Sequence, residues 1–211
     1  MKILMIGPQG SGKGTQAEII AKEFNIPHIS TGDIFRENIK KKTELGKTAQ
    51  QYMNQGLLVP DEVTNRMVRE RISQPDCDQG FILDGYPRTL NQLVTMFEFT
   101  AIDVALDIEI SDDESIERIS GRRVCRKCGS NFHINYHKPK KDSICDACGG
   151  ELYLREDDEP DALLKRLEIY HEQTQPILEL LKKKGILKII NGSQDIAEVF
   201  RDIKVMLNKN L

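Results

Sequence analysis

GPQGSGKGT, from Gly7 to Thr15, follows the apolar run Lys2 to Ile6 and opens a helical pattern from Gly14 to Glu23. Strand, glycine-rich loop and helix in that order make a phosphate cradle. The glycines let backbone N–H groups converge on phosphate oxygens, the helix N-terminus adds positive potential, and Lys13 brings a mobile full charge. Thr15 is placed for a metal-bound water or a phosphate oxygen. The strict pattern has Ser or Thr directly after the lysine, whereas here Gly14 intervenes before Thr15.

Outward from this loop, short apolar runs alternate with longer helical patterns. The strand candidates are Lys2 to Ile6, His28 to Ser30, Gly80 to Asp84, Val104 to Ile110 and Ile186 to Ile190. Further helical stretches run from Asp61 to Ser73, Asp112 to Ser120 and Asp161 to Lys184. This alternation predicts an α/β chain with a parallel sheet of strand, crossover helix and strand. All strand candidates but the second are nearly unbroken in apolar or β-branched residues, as strands covered on both faces require. Two segments break the pattern. Thr31 to Ser73 holds several short helical patterns and reads as an inserted helical lobe. Arg122 to about Asp158 is rich in Cys, Gly, Lys and Asp and has no hydrophobic period long enough to form a core.

With 211 residues, 39% hydrophobic and 30% charged, the chain is sized for one main globular domain with insertions. A net charge of −3 gives no global attraction to nucleic acid or anionic membrane, so any anion site is local. No stretch approaches the ~20 apolar residues that span a bilayer, and the N-terminal run meets glycines in place of a cleavage site. These features predict a cytoplasmic protein, where clustered cysteines suggest metal ligands before disulfides.

A second informative string is FILDGYPRT, Phe81 to Thr89. An apolar strand here delivers Asp84 to its carboxyl end, the side on which ligands bind in such sheets. An aspartate there suits the water shell of Mg²⁺, Gly85 admits a base or ribose close to the backbone, and Arg88 suits a two-pronged grip on phosphate. In the hydrophobically poor segment, Cys125-x2-Cys128 and Cys145-x2-Cys148 are separated by sixteen residues, the spacing of a four-thiolate structural zinc site. Four protein ligands leave no open position, so His133 and His137 are expected to pack or face solvent, and Cys77 to be a free thiol.

GPQGSGKGT, STGDIFR (Ser30 to Arg36), GLLVPDE (Gly56 to Glu62) and DGYPRT (Asp84 to Thr89), in this order and spacing, resemble adenylate kinases across the whole chain. The Gly-Thr after Lys13 is that family's form of the loop. The resemblance implies an α/β P-loop kinase fold, with a central parallel five-stranded sheet, an inserted helical AMP-binding lobe and a zinc-bearing lid of the long bacterial type. It divides the chain into core 1–29, AMP-binding lobe 30–59, core 60–121, lid 122–158 and core 159–211. It implies a monomer that transfers a phosphoryl group reversibly from ATP, carried with Mg²⁺, to AMP, giving ADP.

By the same resemblance, Gly10, Ser11, Gly12, Lys13, Gly14 and Thr15 bind ATP phosphates. Thr31, Arg36, Leu57, Leu58, Val59, Gly85, Tyr86, Pro87, Arg88 and Gln92 surround AMP. Arg118, Arg122, Arg155 and Arg166, which flank the lid, go to the transferring phosphates. Asn131, Phe132 and the backbone at Gln194 go to the ATP base and ribose. Lys13, Asp84, Arg88, Arg122, Arg155 and Arg166 form the implied catalytic set, and Arg123 receives no role. Catalysis would be positioning and charge stabilisation, without a general base, under lobes that close against water. Two other readings use the same residues. One is a kinase for UMP, CMP or GMP; the other is a zinc-ribbon module that binds nucleic acid and uses the loop as a switch. The acidic balance and 6% aromatic content disfavour the second.

Overall fold

The computed structural model describes residues 1–208; residues 209–211, the end of the expected 159–211 core segment, lie outside them. In chain order the elements are β1 (Lys2–Ile6), α1 (Lys13–Phe24), β2 (His28–Ser30), α2 (Thr31–Lys40), α3 (Glu44–Met53), α4 (Asp61–Ile72), β3 (Phe81–Asp84) and α5 (Leu90–Phe99). They continue with β4 (Val104–Glu109), α6 (Asp112–Ser120), β5 (Arg122–Cys125), β6 (Asn131–His133), β7 (Leu152–Tyr153), α7 (Pro160–Ile169), α8 (Gln175–Lys183), β8 (Leu187–Asn191) and α9 (Ile196–Asn208). The central sheet is five-stranded and parallel in the order β2-β3-β1-β4-β8. A separate three-stranded antiparallel sheet, β6-β5-β7, carries the cysteine-rich segment.

Period-2 alternation along the strands builds two cores. Leu4, Ile6, Leu83 and Ala105 pack with Met67, Val68, Leu93, Met96, Ile177 and Leu181 from α4, α5 and α8. Ile3, Met5, Ile82, Leu106 and Ile108 pack on the other face with Ala17 and Ile20 of α1 and with Val199, Ile203 and Leu207 of α9. α2 and α3 pack on one another, whereas α4 packs on α5 over the sheet. β8 is an edge strand, and its Ile189 is accordingly exposed.

The sequence pattern predicts one helix from Asp161 to Lys184, but the structure divides it. A π-helical stretch, Tyr170–Thr174, separates α7 from α8. Pro176, at the start of α8, has no N–H to continue the ladder, and the widened turn absorbs the loss. The same stretch lets the Thr174 hydroxyl donate to the Arg88 carbonyl at 2.9 Å. A backbone detail of the helix thereby braces the site.

Asp107 on β4 escaped the sequence reading. It is 0% exposed, and neither carboxylate oxygen has a hydrogen-bond partner among the described residues. Burial, reinforced by Glu109 and opposed by Lys13, pushes its carboxyl up to about 7. A folded-state value above the unfolded one means that the folded chain binds more protons between about pH 4 and 7, so stability falls as pH rises through that window. Asp107→Asn is expected to flatten this slope and add roughly 2 kcal/mol at pH 8, about 4–8 °C in Tm, after allowing for the unpaired carboxamide left behind. Thermal melts of both proteins from pH 4 to 8 check it; parallel curves would contradict it.

Candidate active site

The loop after β1 turns at Gly7, whose φ of 136° and approach to the Ile108 carbonyl leave no room for a side chain. α1 then starts at Lys13, so the first-turn N–H groups face the loop. The Lys13 ammonium folds back on the loop and donates to the Pro8 carbonyl at 2.9 Å. Burial pushes it down to about 8, while Asp84 pulls it up and the nearby arginines lower it further. The Ser11 hydroxyl is buried and has no hydrogen-bond partner among the described residues. An ammonium short of counter-charge and an orphaned hydroxyl in one loop both suit a bound phosphate. Asp84, at the carboxyl end of β3, faces the first turn of α1 and lies 3.4 Å from His28 Nε2. Burial alone would raise its carboxyl, yet the His28 bond and the Lys13 charge hold it below the ordinary value.

Two cavities lie at this end of the sheet. One is lined by Thr31, Arg36, Leu57, Leu58, Val59, Gly85, Arg88 and Gln92 together with Arg155 and Arg166. The other is lined by the phosphate-loop residues Gly7, Gln9 and Lys13, with Pro87 and again Arg88 and Arg166. The two share Gly56, Leu58, Gly85, Arg88 and Arg166, so these residues stand between the phosphate-loop cavity and the one lined by Thr31 and Arg36. Arg88 is fixed by Nε donating to the Gly85 carbonyl at 2.8 Å, and Thr31 Oγ1 donates to the same carbonyl at 2.9 Å. Tyr86 is placed differently. It is 1% exposed, and its hydroxyl donates to Asn65 Oδ1 at 2.8 Å, so it belongs to the core behind the cavity.

Arg122, Arg155 and Arg166 converge on two carboxylates that the sequence reading missed, Asp157 and Asp158. Arg122 Nε donates to Asp158 Oδ2 at 2.8 Å, Arg155 Nε to Asp157 Oδ1 at 2.8 Å, and Arg166 Nη1 to Asp158 Oδ1 at 3.2 Å. Burial and the Arg155 charge push Arg122 down to about 10, with Asp158 opposing. Burial works against ionisation of Asp157, but Arg155 and Arg166 hold it well below the usual carboxylate range. The signal was in the charge pattern: four acids, Glu156 to Glu159, directly follow Arg155.

Arg118 stands apart from that cluster. It donates to the Gly192 carbonyl at 3.0 Å and pairs with Glu114 at 3.5 Å, beside the loop that carries Gln194. Arg123 caps the Ser120 and Arg122 carbonyls. Asn131 is exposed, whereas Phe132 is buried among Cys125, Cys145 and Leu152 and stacks on His137. His133 is also buried, its Nδ1 accepting the Asn135 and Tyr136 N–H groups.

The four cysteines, Cys125, Cys128, Cys145 and Cys148, bring their sulfurs within 4.8 Å of one another. Cys125 Sγ lies 3.5 Å from Cys148 Sγ, and Cys128 Sγ 3.6 Å from Cys145 Sγ. A tetrahedron with metal–sulfur bonds of ~2.3 Å has edges of about 3.8 Å, whereas a disulfide needs ~2.05 Å. The donor set fits a soft tetrahedral ion, and all five cysteines are free.

Comparison with known proteins agrees with this geometry. A family model described as adenylate kinase matches residues 5–186. The adenylate kinase of Caldicellulosiruptor bescii is 50% identical over 208 residues, which cover 96% of this chain and 97% of that protein. That of Caldanaerobacter subterraneus subsp. tengcongensis is 50% identical over 212 residues, 98% of this chain and 96% of that protein. The adenylate kinase of Carboxydothermus hydrogenoformans is 50% identical over 214 residues, 99% of this chain and the full length of that protein. A phosphate loop, a second cavity joined to it through shared arginines and a four-thiolate cluster thus sit on a chain similar end to end to these enzymes, and the chain belongs to the adenylate kinase family.

Proposed function

We propose that this chain transfers the terminal phosphoryl group of ATP reversibly to AMP, giving two molecules of ADP. The observation that carries the reading is the pair of adjoining cavities with Arg88 and Arg166 common to both. A group passing from one nucleotide to the other would cross between them. The phosphoryl group in flight spreads negative charge over its oxygens, so catalysis is mostly positioning and charge stabilisation. Lys13 and the backbone of Gly10 to Thr15 hold the donor phosphates, and Arg88 with Arg36 holds the acceptor phosphate. Arg122, Arg155 and Arg166 exchange their bonds to Asp157 and Asp158 for bonds to the transferring group. The acceptor phosphate is ionised near neutral pH, so no side chain needs to remove a proton.

Mg²⁺ carried with ATP would neutralise part of its charge, and Thr15 and the ionised Asp84 would hold its water shell. The four thiolates would hold Zn²⁺, which would supply structure and no chemistry. Segments 30–59 and 122–158 are the two lobes that close over the substrates, 30–59 over AMP and 122–158 over the phosphates. We place the enzyme in the cytoplasm as a monomer, as the family resemblance and its clustered free cysteines suggest. Among the described residues no helix is long and apolar enough to cross a membrane.

The test is ADP formation from ATP and Mg²⁺ with AMP, UMP, CMP and GMP in turn. Strong transfer to AMP, at least ~100-fold above the pyrimidine monophosphates in kcat/KM, is the expected result. Preference for another monophosphate would overturn the acceptor assignment, and no transfer to any would overturn the activity.

A further inference from the structure

Gln92 lines the acceptor cavity yet is only 2% exposed, and its carboxamide is held at both ends. The Arg88 backbone N–H donates to Gln92 Oε1 at 2.7 Å. Gln92 Nε2 donates to Asp61 Oδ1 at 2.7 Å. Asp61, the first residue of α4, is itself fixed, because its Oδ2 accepts from Thr89 Oγ1 and from Asn91 Nδ2, both at 2.9 Å. A backbone N–H only donates and an ionised carboxylate only accepts, so this chemistry admits one orientation of the amide. Turning it over would set oxygen against carboxylate and N–H against N–H. With one N–H and one lone pair used, the amide keeps one of each for a ligand.

We propose that Asp61 is a positioning residue that sets base selectivity in the acceptor site, by locking the Gln92 carboxamide to match a 6-amino purine and oppose a 6-oxo purine. The proposal rests on the reading of this cavity as the site of a purine monophosphate acceptor. A 6-amino purine presents an amino donor beside a ring-nitrogen acceptor, and a glutamine amide pairs with that edge through both its groups. A 6-oxo purine presents a carbonyl acceptor beside a ring N–H donor. The same two bonds then form only if the amide is reversed. Without Asp61 the reversal loses its main penalty. Asp61 lies within GLLVPDE, a stretch for which the apolar residues alone explain only the walls of the pocket.

The experiment compares kcat/KM for AMP and inosine monophosphate in the wild type, Asp61→Ala and Asp61→Asn, with the KM for ATP as a control. Asp61→Ala is expected to reduce the preference for AMP by about tenfold with the ATP KM unmoved. Asp61→Asn keeps one acceptor oxygen but turns an NH2 toward either Gln92 or the Thr89 and Asn91 donors, and is expected to fall between the wild type and Asp61→Ala in preference. An equal fall for both acceptors in Asp61→Ala, or a preference in Asp61→Asn lower than in Asp61→Ala, would overturn the role of Asp61. If Asp61→Ala does not fold, NMR of the wild type's Gln92 side-chain amide decides. The proton donated to Asp61 is expected to be shifted downfield and protected from solvent exchange before AMP is added; an amide whose two protons exchange as fast as those of an exposed glutamine overturns the proposal. A wild type inactive toward both acceptors would instead overturn the acceptor reading itself.

Discussion

Arg88→Ala is expected to lower kcat/KM for AMP by about 10³-fold or more while leaving the fold at least as stable as the wild type. The loss follows from position, since Arg88 lines both cavities and would contact the group in transfer as well as the acceptor. The retained stability follows from surroundings. Arg88 is a buried guanidinium whose charged form is disfavoured first by burial and then by Arg36 and Arg155, with Asp84 and Asp157 opposing. Removing a charge of that kind relieves repulsion and desolvation, a common trade between activity and stability at active sites. Steady-state kinetics with AMP varied, together with a thermal melt, check the pair of outcomes. An inactive protein that also melts well below the wild type would mean that Arg88 holds the structure, and the kinetic loss would lose its meaning.

Removing the metal should have the second large effect. The cysteine-rich sheet has a small core of its own: Phe132 and Leu152 are the buried carbon side chains grouped with Cys125 and Cys145. So little apolar area does not hold thirty-odd residues against their conformational entropy, and a tetrahedral thiolate site supplies the difference because metal binding is itself folding free energy. Stripping the ion with a chelator, or Cys145→Ser, is expected to lower Tm by roughly 10 °C or more. Protease is expected to cut between residues 122 and 158 before it touches the central sheet. Metal analysis should find about one zinc per chain. An unchanged melt with no metal released would leave the four sulfurs without a structural task.

The central sheet was legible because its strands are covered on both faces, and such strands have to be written as runs of Ile, Leu, Val and Met. The phosphate loop and the paired cysteines were legible because their chemistry demands fixed residue types at fixed spacing within a short stretch. What escaped depends on pairs far apart in the chain. Asp61 and Gln92 are 31 positions apart, and nothing local in either segment points to its partner; Arg122 and Asp158 are 36 apart, and the run of acids after Arg155 signals only the nearer pairing. Asp107 was hidden differently. Its strand reads as a nearly unbroken apolar run covered on both faces, and nothing local in such a run signals that one acid in it is buried without a hydrogen-bond partner among the described residues, as Asp107 is. Pro176 signalled the division of the last long helical pattern, but apolar residues continue on both sides of it, so the pattern alone read as continuous.

The aspartates among the arginines also bear on how nucleotides arrive. Lys13, Arg36, Arg88, Arg122, Arg155 and Arg166 form a cationic hollow, but Asp33, Asp84, Asp157 and Asp158 lie among them and pair with several. Seen from solution, the hollow carries far less net charge than its arginines suggest. Long-range attraction of a polyanion scales with net charge and is damped by salt, so the encounter with nucleotide should be only modestly accelerated and only weakly sensitive to ionic strength. On the proposed reading, full attraction would develop at contact, as phosphate oxygens took the places of the carboxylates. The enzyme thereby keeps its hollow from gathering every passing anion, at the cost of a slower first meeting with the right one.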